Sequence, residues 1–223
     1  MFKTELHLHS HEVSSCCDYP TELSAERYVA AGYHTVVVCD HFTPWLSKKE
    51  GSWDDIVRWF TSGYEAFRSA LAGRVNVLFG FELRFDGYLN DYLVYGLDAA
   101  FLRGARDLPF LSRRAAVDLI HESGGMIFAA HPFRDNMTVL DPTGLDGVEV
   151  FNAHAGHDSR NELAFAFARH HGLTGIAGSD FHHEWNTPSA GIMTPEPITT
   201  NEELLATLRS GTFRTFGEIV PRG

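Results

Sequence analysis

Apolar residues fall into seven strand-length runs, at about 2–9, 34–40, 74–82, 92–97, 125–131, 147–152 and 173–180. Several are continuous rather than alternating, as in parallel strands covered on both faces. Between them the periodicity turns helical. One helix starts at Pro20, a favoured first helical position, and closes at Gly32. Others cover roughly 53–71, 112–123, 158–171 and 201–210, the last opening on the cap signal Thr200-Asn201-Glu202-Glu203. The Pro-, Thr- and Gly-rich segment 184–199 reads as a long loop near the last strand. Strand alternating with helix predicts an α/β barrel or a doubly wound sheet.

The polar residues that break this pattern sit mostly where apolar runs end. They are His7-Leu8-His9, Asp18, Asp40-His41, Glu82, His131-Pro132, His154 and Gly178-Ser179-Asp180-Phe181-His182. His7 and His9 share a strand face, because side chains alternate with a period of two, so both imidazoles can reach one metal. His11 reads as a rim or solvent histidine. His41 follows the buried run Val36-Val37-Val38-Cys39 and reads as a ligand, with Asp40 accepting a histidine N–H to orient it. Glu82 closes Val75–Phe81 and is the natural bridging carboxylate. Pro132 forces the chain off its strand directly after His131. His154 reads either as a ligand or as a hydrogen-bonded structural histidine. Asp180 and His182 follow Ile176-Ala177-Gly178-Ser179, where small residues let backbone approach a crowded site. Imidazoles and carboxylates delivered from many strand ends are what a multinuclear metal site on a barrel rim requires.

Composition narrows the class. At 223 residues, with 44% hydrophobic and 21% charged, the chain fits a single globular domain, 1–223. It opens on its first strand with no apolar targeting region, and Cys16, Cys17 and Cys39 form no Cys-x-x-Cys pair, so a reducing, cytoplasmic setting is expected. The net charge of −11 argues against nucleic acid as a polymeric partner, which would call for arrays of Lys and Arg. A small anion drawn to bound cations fits better, since three divalent ions would bring the balance to −5.

The order and wording of these signals resemble the polymerase and histidinol phosphatase (PHP) family, from His7 to His182. The resemblance implies a distorted (β/α)7 barrel, with two or three divalent ions (Zn, Mn or Fe) at the C-terminal ends of its strands. It implies one metal on His7, His9, Glu82 and Asp180, and a second on Glu82, His131 and His154. A third would take His41, His182 and one residue from the loop after His9. Where the family usually has Asp or His in that loop, this chain has Ser14 and Ser15. Asp18 is the first choice to complete the set, with Glu12 as competitor and a turn ahead of the Pro20 helix as the other reading of Asp18. Cys39 stands where the family usually has Thr.

The implied activity is hydrolysis of a small phosphate ester (a sugar, amino-alcohol or nucleotide phosphate) by a metal-bridging hydroxide. Arg134 is the candidate phosphate contact, with a carboxylate-paired surface arginine as its alternative; Arg160 is a further candidate that could instead serve the helix near 158. Residues 42–55, with Lys48 and Lys49, could form a lid, whereas Trp45, Trp53 and Trp59 read as core or lid packing. His34, His121, His157, His170, His171 and His183 read as solvated or structural. Two other classes remain: an amidohydrolase-type enzyme cleaving C–N or ester bonds, and a non-catalytic metal-binding regulatory domain. The first often bridges its metals with a carbamylated lysine, and here lysines occur only at 3, 48 and 49.

Overall fold

The computed structural model describes residues 1–220; the last three residues of the expected 1–223 domain lie outside it. The chain begins with β1 (Phe2–Leu8), α1 (Thr21–Ala30), β2 (Thr35–Val38) and the short β3 (His41–Phe42). It continues through α2 (Trp53–Phe60), α3 (Ser62–Ala70), β4 (Asn76–Arg84), β5 (Asp91–Tyr95), α4 (Ala99–Gly104) and α5 (Arg113–Glu122). Then come β6 (Met126–Ala129), β7 (Gly147–Asn152), α6 (Asn161–His171), β8 (Thr174–Gly178), β9 (Ala190–Thr194), α7 (Asn201–Ser210) and β10 (Arg214–Gly217).

The sheet runs β10-β9-β1-β2-β4-β5-β6-β7-β8, with β3 paired to β4. Its ends nearly meet. At the rim, Leu8 bridges Phe181, Asp180 N–H donates to the His7 carbonyl at 2.9 Å, and His9 N–H donates to the Phe181 carbonyl at 3.3 Å. Lower down, β9 pairs with β1 over Phe2–Thr4 and packs against β8, filling the seam. The result is a nearly closed barrel of β1, β2 and β4–β8. Its interior, around Leu6, Val37, Leu93, Tyr95, Phe128 and Ile176, is plugged from below by Leu204, Leu205 and Leu208 of α7. That helix is fixed by the capping box foreseen at Thr200 and Glu203.

β3, α4 and β10 were not foreseen, and three further elements differ from the sequence expectation. β5 is antiparallel to both neighbours, because the connection 85–90, turning at Gly87 (φ 77°), is too short for a helical crossover. The helix expected over 53–71 is two helices that meet at Thr61. The expected loop 184–199 contains β9, whose apolar Ala190, Ile192 and Gly191 pair with β1 and β10.

The register shifts in two places, both beside the rim cluster. In β1, Glu5 pairs with Val36 but Leu8 with Val38; in β7, Glu149 pairs with Ile176 but Phe151 with Ala177. Each bulge re-aims the side chains that follow it. Each also carries a buried glutamate: Glu5 Oε1 accepts the N–H groups of Leu6 and His7 at 3.0 and 2.9 Å, satisfying the β1 bulge from within.

Candidate metal centre

Strand ends deliver the donors to one point. Glu82 is fully buried, and its oxygens stand 3.1 Å from His131 Nε2, 3.5 Å from His7 Nε2, 3.6 Å from His9 Nε2 and 2.7 Å from His41 Nδ1. These approaches lie off the axis a hydrogen bond needs, so both carboxylate oxygens remain without one. Asp180 Oδ1 lies 3.4 Å from Nε2 of both His7 and His9. Donor atoms converge within 4.8 Å in the groups His7–His9–Glu82, His7–His131–Asp180 and His9–His41–His182.

In three of the histidines the remote ring nitrogen is tied down, which fixes the inward one. His7 Nδ1 meets Glu149 Oε1 at 2.9 Å, His9 Nδ1 meets Ser14 Oγ at 3.2 Å, and His182 Nδ1 meets the Asp180 carbonyl at 3.0 Å. Such outer hydrogen bonds hold a histidine in the tautomer that presents its other nitrogen to a metal. The other Glu149 oxygen accepts His131 N–H and Asn152 Nδ2–H at 2.8 and 3.0 Å. One buried carboxylate therefore braces two candidate ligands.

Backbone strain marks the same positions. His131 (φ 27°) and Asp180 (φ 49°) are left-handed, a conformation that costs non-glycine residues about 1–3 kcal/mol and gathers at functional sites. Gly178 leaves no room for a side chain: a Cβ there would stand 2.3 Å from the His7 Cβ and 2.8 Å from Glu149 Oε1.

Electrostatics divide the cluster. Burial disfavours the charged His7 ring, but Asp180, Glu149 and Glu82 outweigh it and raise its pKa well above the usual value. His9 goes the other way, lowered well below by burial and by His182 and His41. Glu82 and Asp180 are held well below the carboxylate range: burial opposes ionisation, and the surrounding imidazoles prevail. Burial pushes Glu5 up to about 7 and Asp40 to about 6, despite the hydrogen bonds each accepts. A fully buried, ionised glutamate with no hydrogen bond, ringed by oriented imidazoles, fits a divalent cation better than any partner within the fold.

One sequence expectation needs correction, that for Asp40, and other candidates sit outside the converging groups. Asp40 accepts no histidine N–H; it takes Ser10 N–H at 2.8 Å and the Ser10 and Ser14 hydroxyls at 2.6 and 2.7 Å, reaching His9 only through Ser14. Asp18 is drawn off to His183 Nδ1 at 2.8 Å and is 73% exposed. Glu12 accepts the Thr21 hydroxyl. His154 belongs to none of the converging groups; its Nδ1 accepts Gly156 N–H, and burial, with His157, His182 and His183 nearby, pushes its pKa to about 3. His157, read as solvated or structural, instead brings Nε2 to 3.6 Å from Asp180.

The cluster opens into a cleft of about 490 Å³ lined by Arg84, Arg134, Trp45, Trp59 and Cys16. Arg134 is there, paired with Asp91 at 3.2 Å, and Arg84, which the sequence reading missed, holds Asp91 through two bonds of 2.6 and 2.7 Å. Arg160 is not among the lining residues; its guanidinium is committed to Asp135 and the Phe133 carbonyl. Lys49 lies over Trp59 and Trp45, at 3.6 and 4.2 Å.

Comparison with known proteins agrees with this architecture. Residues 158–213 match the family model described as PHP-associated. A 5'-3' exoribonuclease of Haemophilus influenzae is 35% identical over 100 residues, which cover 41% of this chain and 34% of that protein. Thus the match spans about a third of the relative's length. Among solved structures, a two-domain Bacteroides vulgatus protein containing a predicted PHP-like metal-dependent phosphoesterase superposes with a TM-score of 0.67 at 14% identity, covering 97% of this chain and 65% of that one. An amidohydrolase from Chromobacterium violaceum superposes with a TM-score of 0.57 at 19% identity, over 95% and 97% of the two chains. At such identities the likeness is one of fold.

Proposed function

We propose that this chain is a metal-dependent phosphoesterase of the PHP-domain family. The observation that carries the reading is Glu82: a buried carboxylate without a hydrogen bond, facing four imidazoles from three strand ends. His7, His9, Glu82, His131 and Asp180 would hold two divalent ions, with His41 and His182 toward a third. Ions bound there would supply a strongly acidified water as nucleophile and a positive field for the phosphoryl oxygens.

The protein's own contribution is positioning. Glu149 and Ser14 fix the rings of His7 and His9 from behind. Arg84 and Arg134, held side by side on Asp91, place two guanidiniums at the cleft for a phosphate group. Asp91 sets their orientation ahead of binding. The chain as a whole carries −11, and Arg84 and Arg134 are cationic side chains that line the cleft.

A small phosphate ester remains the substrate we favour. A nucleic acid end is the second reading, favoured by the exoribonuclease name of the Haemophilus relative and by Trp45, a cleft-lining side chain that is 56% exposed and able to stack on a base. The amidohydrolase reading is weaker, because among the described residues no lysine lines the cleft. The test is hydrolysis of p-nitrophenyl phosphate, bis-p-nitrophenyl phosphate and a 5'-phosphorylated oligonucleotide by chelated protein after Mn, Zn or Fe is restored. Metal-restored turnover of a monoester above the oligonucleotide supports the small-ester reading; the reverse order supports the second. No turnover on any of the three, with metal bound, overturns the proposal.

A further inference from the structure

We propose that Cys16 supplies a thiolate ligand to the outermost cation of this cluster, in the place for which Asp18 and Glu12 are the sequence candidates. The inference rests on reading the cluster as a metal centre and adds to it the identity and softness of one ligand. Cys16 Sγ stands 3.2 Å from His41 Nε2 and within hydrogen-bonding reach of the His182 ring. Those two rings, with His9, form the outermost of the converging donor groups, their centroids 4.1 to 5.9 Å apart. The fully buried Glu82 lies on the inner edge of the His41 ring, its Oε2 2.7 Å from Nδ1, while Nε2 on the outer edge faces Cys16.

The oxygen ligands that could compete are engaged elsewhere. Asp18 is paired with His183, and Glu12 with Thr21. Cys17 points away: its Sγ is buried against the carbonyls of His9 and Tyr19. The turn that separates the two cysteines is set by backbone, with Cys17 N–H on the Ser14 carbonyl at 2.8 Å and Asp18 N–H on the His182 carbonyl at 3.1 Å. The second of those bonds ties the Cys16 loop to the strand end that carries His182, so thiol and imidazole move as a unit.

A thiolate changes what the site selects. Sulfur and imidazole together favour zinc, iron or cobalt over magnesium or manganese, whereas a carboxylate in the same place would not discriminate in that way. The outermost position should therefore fill with a soft divalent ion even where manganese occupies the inner ones.

The experiment is cobalt loading of the chelated full chain, comparing wild type with Cys16→Ser and Cys16→Asp. Wild type should develop a near-ultraviolet thiolate-to-cobalt charge-transfer band, and both variants should lose it. Cys16→Ser should bind a single ion fewer per chain, and Cys16→Asp should regain that ion without the band and take manganese more readily. Cobalt should also protect Cys16 from iodoacetamide, read by peptide mass spectrometry. Cobalt binding with no band and no protection overturns this inference and leaves the reading of the inner cluster intact. No cobalt binding by wild type overturns both.

Discussion

Single residues decide whether the cluster is a metal centre or a knot of buried charge. Glu149 touches no substrate in this account, yet it fixes His7 Nδ1 and the His131 backbone. Glu149→Gln should weaken metal affinity about 10–100-fold, measured by competition with a chromophoric chelator, while the circular dichroism spectrum is kept. Unchanged affinity would remove Glu149 from the account. Glu5 gives a second test in the metal-free protein. Its carboxyl is raised from 4.5 to about 7 by burial, so between those pH values the folded state holds a proton that the unfolded chain has released. Folding stability contributed by this group is greatest below the unfolded value and falls as pH rises to about 7, by roughly 3 kcal/mol at most. His7, also raised, acts with the same sign; Glu82 and Asp180, depressed, lose their contribution only at more acidic pH. Urea unfolding of chelated protein should show the decline, and Glu5→Gln should flatten it; parallel slopes in the two proteins would contradict this assignment.

The residue scale is also where the sequence was most legible. His7, His9, His41, Glu82, His131, Asp180 and His182 could be read because each interrupts an apolar run where a strand ends. Glu149 and Glu5 could not be read that way, since they lie inside their runs, in Gly-Val-Glu-Val-Phe and Thr-Glu-Leu. A charged residue within a strand buried on both sides was itself the available signal, because it must find a partner. Arg84 and Cys16 depended on what folding brought beside them: Asp91 across a hairpin, and His41 across the barrel mouth.

At the scale of elements, bulges and close approaches aim the donors. The β1 and β7 bulges each begin at a buried glutamate, Glu5 and Glu149, and Gly178 of β8 lets β1 pass with His7 against it. Gly178→Ala should destabilise the protein by about 1–3 kcal/mol through overpacking and lower metal affinity with it. Gly63 on α3 does the same for the outer support, since a Cβ there would stand 1.9 Å from Ser10 Oγ and 2.4 Å from Asp40 Oδ2. Gly63→Ala should therefore disturb the Asp40–Ser14–His9 chain, read as a loss of metal affinity larger than that of Gly73→Ala with its open surroundings. Most strands and helices were legible from periodicity, though β3, α4, β9 and β10 were not, and strand direction was not legible at all. A continuous apolar run reads alike in parallel and antiparallel strands buried on both faces, and only the short connection 85–90 distinguished β5.

At the scale of the whole molecule, the barrel is held by the same contacts that form the site. Its seam closes at the rim through Asp180 N–H on the His7 carbonyl and His9 N–H on the Phe181 carbonyl. Metal binding should therefore stabilise the fold as well as fill the site. A cation at a hundred times its dissociation constant adds about 2.7 kcal/mol per site to unfolding, so chelation should lower the thermal midpoint and metal should restore it. Among the described residues no helix is long and apolar enough to cross a membrane. With −11 charges overall and two arginines at the cleft, anions should be attracted locally and repelled elsewhere, giving a modest dependence on salt.

The most direct test of the central claim is a metal titration of the chelated protein, following bound ions and phosphoester turnover together, with Glu82→Gln alongside. The account predicts that turnover appears only as ions bind, and that Glu82→Gln loses both. Turnover that survives chelation, or a Glu82→Gln protein that binds and hydrolyses as wild type does, would contradict it.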